Sequence, residues 1–85
     1  MFIHLGEEKA ILNRDLIGIF NYELIKKSKT AKEFIDIMAH DGVLEKVSKD
    51  KKIKSFVVAK DKVFLSPISS TTLQKRILNF TSQID

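Results

Sequence analysis

Thr30-Ala31-Lys32-Glu33-Phe34-Ile35-Asp36-Ile37-Met38-Ala39-His40-Asp41-Gly42 is the most plainly helical stretch of this 85-residue chain. Ala31, Phe34, Ile35 and Met38 fall at i, i+3, i+4 and i+7, which makes one apolar stripe suited to packing on a sheet. Thr30 and Glu33 have the spacing of a capping box, with Thr30 as N-cap and Glu33 reaching back. Gly42 supplies the left-handed residue that ends such a helix. Short strand-like runs lie on both sides of it, so the expected class is α+β.

Upstream, Phe2-Ile3-His4-Leu5 and Lys9-Ala10-Ile11-Leu12 flank Gly6-Glu7-Glu8 and read as a tight hairpin. Leu16 to Tyr22 is almost continuously apolar, which suggests burial on both faces, in the core or at a subunit contact. Gly18 within it points to a bulge or a close backbone approach. Downstream, Val43 to Val47, Ser55 to Lys60 and Val63 to Ser66 read as strands, the last two joined at Asp61-Lys62. Pro67 stops the final strand, and Ser69 to Thr72 offer N-caps for a second helix with Leu73, Ile77 and Phe80 on one side. The prediction is one domain over 1–85, with five or six short strands in a small, mostly antiparallel sheet and two helices.

Composition narrows the function. A 44% hydrophobic content suits a folded globule. With no cysteine, there is no disulfide, thiolate metal site or cysteine nucleophile. So small a domain with no staple often borrows core from a partner subunit, which makes a homo-oligomer a reasonable expectation. No run approaches the roughly 18 apolar residues of a membrane span, and the first eight residues lack the basic start of a signal peptide. A cytoplasmic protein with no membrane partner is expected.

Little in the chain resembles catalytic chemistry. His4 lies in an apolar strand, where a structural or interface role is favoured, and His40 near the end of the helix, where it can interact with the last carbonyls. Neither belongs to a metal-ligand spacing. The serines and threonines at 66 and 69–72 have no glycine elbow around them and are better explained as caps. Glu7 and Glu8, adjacent in a turn, should diverge rather than share a cleft. No catalytic residue, cofactor or metal is expected, and the protein is read as a non-enzyme.

Charge carries more information. Between Lys46 and Lys62 seven lysines oppose two aspartates, net +5 in a chain whose total is +4. A positive surface concentrated in this way is the footprint of a polyanion binder, while the bland alternative is a solvated turn that keeps the protein soluble. Lysines act as point charges on phosphate and suit sequence-tolerant contact with a DNA backbone. One loop of four or five lysines would bind duplex DNA weakly and with a steep salt dependence; an oligomer would multiply the contacts.

Particular words of the sequence are familiar. Met1-Phe2-Ile3-His4-Leu5-Gly6-Glu7, Arg14-Asp15-Leu16-Ile17-Gly18-Ile19-Phe20, Lys54-Ser55-Phe56-Val57-Val58 and Val63-Phe64-Leu65-Ser66-Pro67-Ile68-Ser69-Ser70-Thr71-Thr72-Leu73-Gln74-Lys75-Arg76 together resemble the RemA/RemB family of extracellular-matrix (biofilm) regulators, and the RemB branch of it most. The resemblance covers nearly the whole chain. It implies a LytTR-like fold, a ring-shaped homo-oligomer and transcriptional regulation through duplex DNA, with a RemA-type paralogue as a further partner. In the RemA branch a basic pair ahead of a strand contacts DNA. Anchored on Phe56-Val57-Val58, that pair falls on Lys51 and Lys52, with a further basic position at Lys54; Lys49 adds charge beside them. The pair is Lys-Lys here and Arg-Arg in the RemA branch, which keeps the phosphate attraction and weakens bidentate base reading. A further family position near the second strand falls on either Arg14 or Asp15, and only Arg14 would serve it. The alternative from another class is a protein-interaction or structural oligomer that does not bind DNA.

Overall fold

The computed structural model describes residues 1–84, and side chains as far as Leu78; the expected core position Phe80 lies outside the described side chains. Strands β1 (Phe2–Gly6) and β2 (Lys9–Leu12) form the first hairpin. A short 3-10 turn at Asn13–Asp15 leads to β3 (Leu16–Asn21). Helices α1 (Leu24–Lys27) and α2 (Lys29–His40) follow, then β4 (Leu44–Lys46), β5 (Ser55–Ala59), β6 (Val63–Ser66) and α3 (Ser70–Ile84). The class is α+β. The strands form two sheets rather than one: the β1–β2 pair, and a four-stranded sheet in the order β3-β5-β6-β4. All pairings are antiparallel except β4 with β6.

The alternation of β5 and β6 explains the layering. Val57, Ala59 and Phe64 face one side, where they pack with Ile3, Leu5 and Ile11 of the hairpin and Leu73 of α3. Phe56, Val58, Val63 and Leu65 face the other, where they meet Ile35, Phe34 and Met38 of α2. The central strands are therefore buried from both sides, and the molecule has three layers. The stripe predicted for α2 is the one that packs. Fully buried Leu5 contributes about 2 kcal/mol of transfer free energy to docking the hairpin, more than an exposed ion pair can.

Several local features differ from the sequence expectation. The N-cap of α2 is Ser28, whose hydroxyl accepts the Ala31 amide at 3.2 Å, while Thr30 and Glu33 lie inside the helix. Ser28 also ends α1, a helix the sequence reading omitted, and its single extended residue separates the two. At the other end Gly42 adopts φ +74°, with its amide on Ala39 O (3.2 Å) and the Val43 amide on Met38 O (3.1 Å), a Schellman termination. The β5–β6 turn is centred on Lys60-Asp61, one residue earlier than expected, because the Ala59 amide bonds Lys62 O at 2.8 Å.

β3 is an edge strand, not a strand buried on both faces. Leu16 and Ile19 pack inward, whereas Ile17 is 70% and Phe20 39% exposed. Its register slips between Leu16 and Gly18, as a bulge would, and the Phe20 ring lies against Gly18. α2 covers the β5-β6-β4 part of this face and leaves the β3 part open.

One charged cluster ties the layers at the edge. Glu45 of β4 bonds Lys62 and Lys9, each at 2.9 Å, and Lys9 stands over the Phe64 ring. The Lys62 hydrogen bond and then the Lys9 one hold the Glu45 carboxyl below the usual carboxylate range, against a smaller opposing effect of burial. A lowered folded-state value means that this stabilisation is present above the ordinary carboxylate pKa of about 4.3 and is lost as pH falls through the folded value. Glu45→Gln should therefore lower the Tm at pH 7, and the gap from the unaltered protein should close on acidification towards about pH 3; thermal melts across that range check it.

Candidate nucleic-acid interface

The residues between β4 and β5 arch over the C-terminal end of β6. At the entry, the Val47 amide bonds Leu65 O at 2.9 Å; at the exit, the Lys54 amide bonds Ser66 O at 2.9 Å. Lys54 O in turn accepts the Tyr22 amide at 3.1 Å, which extends the β3–β5 ladder by one step. Between these ends Ile53 packs against the core cluster under α2. Ser48 is 3% exposed; its hydroxyl donates to Glu7 Oε1 at 2.9 Å and accepts the Lys51 amide at 3.3 Å. The lysine-rich segment is thus a tethered arch rather than a free turn.

Lys49, Lys51, Lys52 and Lys54 all emerge from this arch into solvent. Among the described residues none of the four forms an ion pair. Lys52 and Lys54 line a groove of about 220 Å³ with Asn21, Tyr22 and residues 69–71 at the start of α3. There Ser69 caps the helix by accepting the Thr72 amide at 3.2 Å, the structural role expected of these hydroxyls. Ser66, also read as a non-nucleophile, is fully buried, donates to Leu5 O and accepts the Ile68 amide.

The structure divides the 46–62 charge excess. Lys60 and Lys62 lie at the far end of the β5–β6 hairpin, and Lys62 is engaged by Glu45. Arg14 is exposed in the 3-10 turn, next to Asp15, whose carbonyl accepts the Lys60 amide at 2.8 Å. β3 runs from Leu16, opposite Ala59, to Asn21, opposite Ser55. Arg14 is therefore about 17 Å or more from Lys54, the length of that strand. Lys49, Lys51, Lys52 and Lys54 are brought together; Arg14 is not.

The histidines stand apart from the arch. The His4 side chain is exposed on the outer face of β1, its carbonyl accepting from Arg76 at 2.9 Å, and His40 closes α2 with its ring 3.5 Å from the Asp41 carboxylate. Among the described residues no group of three or more acidic or histidine side chains could hold a metal ion. In the same residues no helix is long and apolar enough to cross a membrane.

The family described as RemA-like, extracellular matrix regulatory protein A-like, matches residues 2–77. The chain belongs to this family. It is also 36% identical to extracellular matrix regulatory protein B of Bacillus subtilis (strain 168), over the whole of this chain and 99% of that protein. Lys54-Ser55-Phe56 and Leu65-Ser66-Pro67 have a physical reading in this RemA-like chain: they build the ladder step and the buried serine contacts that anchor the arch.

The lysines are visible in the sequence; what holds them is not. A serine whose oxygen takes the amide three residues on is a recognisable local signal at Ser48; nothing local pairs it with Glu7, 41 residues away. Charge and anchoring should separate in stability measurements. Ile53→Ala should cost about 2 kcal/mol in chemical denaturation, the low end for aliphatic truncation because Ile53 is only partly buried. Lys51→Ala with Lys52→Ala should stay within about 0.5 kcal/mol of the unaltered protein.

Proposed function

We propose that this protein is a DNA-binding transcriptional regulator of extracellular-matrix (biofilm) genes, working in the cytoplasm as a ring-shaped homo-oligomer. Each subunit offers Lys51 and Lys52, supported by Lys49 and Lys54, to the phosphates of duplex DNA. The observation that carries this reading is the tethered arch: four exposed lysines, without acidic partners among the described residues, on a segment fixed at both ends. Family membership supports the regulatory role, and a LytTR-like fold and a RemA-type paralogue as partner are carried over with it.

Self-assembly has its own support. Ile17, Phe20 and Leu24 are exposed around a groove of about 430 Å³ whose other walls include Phe34, Phe56 and Val58. An apolar surface beside an unpaired strand edge suits contact with a second copy of the chain, and a small domain gains core that way. Lysine point charges on a repeating particle make many shallow contacts, so specificity comes partly from how easily the DNA bends. Arg14, a strand's length away, makes a separate contact, and its substitution adds independently to loss of the loop lysines.

Two variants test the parts separately. Lys51→Glu with Lys52→Glu should abolish the gel shift of a promoter fragment at low salt while light scattering still gives the unaltered particle mass. A shift that survives would mean the arch is not the DNA contact; collapse to monomers would place it in the subunit interface. Ile17→Glu, at a position already 70% exposed, should leave the fold intact and reduce the mass to that of a smaller species.

A further inference from the structure

The turn of the first hairpin touches the arch, and it does so in a conformation the backbone does not favour. Glu7 has φ +46°, the left-handed region that glycine or asparagine fills more easily. Gly6, at φ +125°, packs so closely on Pro67 and Val47 that a Cβ there would stand 3.1 Å from the proline ring. The turn is thereby pressed against the entry of the arch. From it the Glu7 carboxylate accepts a hydrogen bond from the Ser48 hydroxyl, which leaves the serine oxygen facing the Lys51 amide.

We infer that Glu7 is a positioning residue for the DNA contact: through Ser48 it holds the Lys49–Lys52 segment in its binding geometry. This rests on the arch being the DNA-binding element. The inference is counter-intuitive in sign. A carboxylate beside a cationic surface repels phosphate, so on charge alone its loss would strengthen DNA binding. If it orders the arch, its loss lowers the fraction of molecules with the lysines in place, and apparent affinity falls with that fraction. A glycine at position 7 would relax the backbone and could not reach Ser48. The hydroxyl's two bonds also explain a serine 3% exposed in an otherwise polar loop: it donates to one element and accepts from the other.

The test uses the full chain with Glu7→Gly, Glu7→Gln and Ser48→Ala, each measured by thermal melting, by amide hydrogen exchange without DNA, and by anisotropy of labelled duplex. Glu7→Gly should melt no lower than the unaltered protein, yet exchange the Lys51 amide at least about threefold faster and bind duplex about three- to tenfold more weakly. Ser48→Ala should show the same faster exchange and weaker binding. Glu7→Gln keeps an acceptor oxygen, so its exchange should be unchanged and its binding equal or tighter. Tighter binding by Glu7→Gly with unaltered exchange would overturn the inference and leave Glu7 a simple repulsive charge. Faster exchange in a protein whose unaltered form binds no duplex would uphold the clamp and reject the DNA reading instead.

Discussion

Burial of the β5–β6 hairpin from both faces is the constraint on which the rest of this molecule depends. Phe56 and Val58 serve one layer, Val57 and Ala59 the other, and every residue from Val63 to Ser66 is buried. Two serines survive in that interior because each is satisfied: Ser55 donates to Ile68 O at 2.7 Å, and Ser66 donates to Leu5 O. An unmatched hydroxyl there would cost about 1–3 kcal/mol. These bonds join β5, β6, the approach to α3 and the first hairpin at one end of the sheet. The lysine arch sits on that end, because Lys54 directly precedes Ser55.

The electrostatics are local. The chain's net charge of +4 is modest, and the structure sends its lysines to different tasks. Lys9 and Lys62 hold Glu45 and stitch the hairpin layer to the sheet edge. Lys49, Lys51, Lys52 and Lys54 remain available on the arch. On the proposed reading a single such arch would grip a duplex feebly, which is why exposed Ile17, Phe20 and Leu24 matter to the same account: contact through them would set several arches side by side, where weak contacts reinforce one another.

The helical stripe of α2 was legible because Phe34, Ile35 and Met38 obey one period and Gly42 ends it. Its start was displaced because Ser28 and Thr30 are both good caps, and only the presence of α1 decides between them. Leu16 to Tyr22 does not lie wholly in the core of the single chain, and one of the two places read for it, a subunit contact, concerns the face left open. An apolar run marks surface that avoids water, and a lone chain leaves part of it open at an edge. Strand order was beyond local reading, since placing β6 between β4 and β5 requires a parallel pairing of β4 with β6, two strands that the chain connects through the arch and β5. The basic cluster was visible as composition, but its division between two ends of the hairpin depends on the turn at Lys60-Asp61. The Glu7–Ser48 contact is long-range and leaves no pattern.

The most direct measurement of the central claim is the salt dependence of duplex binding by the unaltered protein. Each phosphate neutralised contributes about −0.9 to the slope of log K against log salt, so one subunit, with the four lysines of its arch and Arg14, can supply no more than about −4.5. Several arches on one duplex require binding at low salt with a slope clearly steeper than that. No binding at low salt, or a slope within the reach of one subunit, would contradict the account.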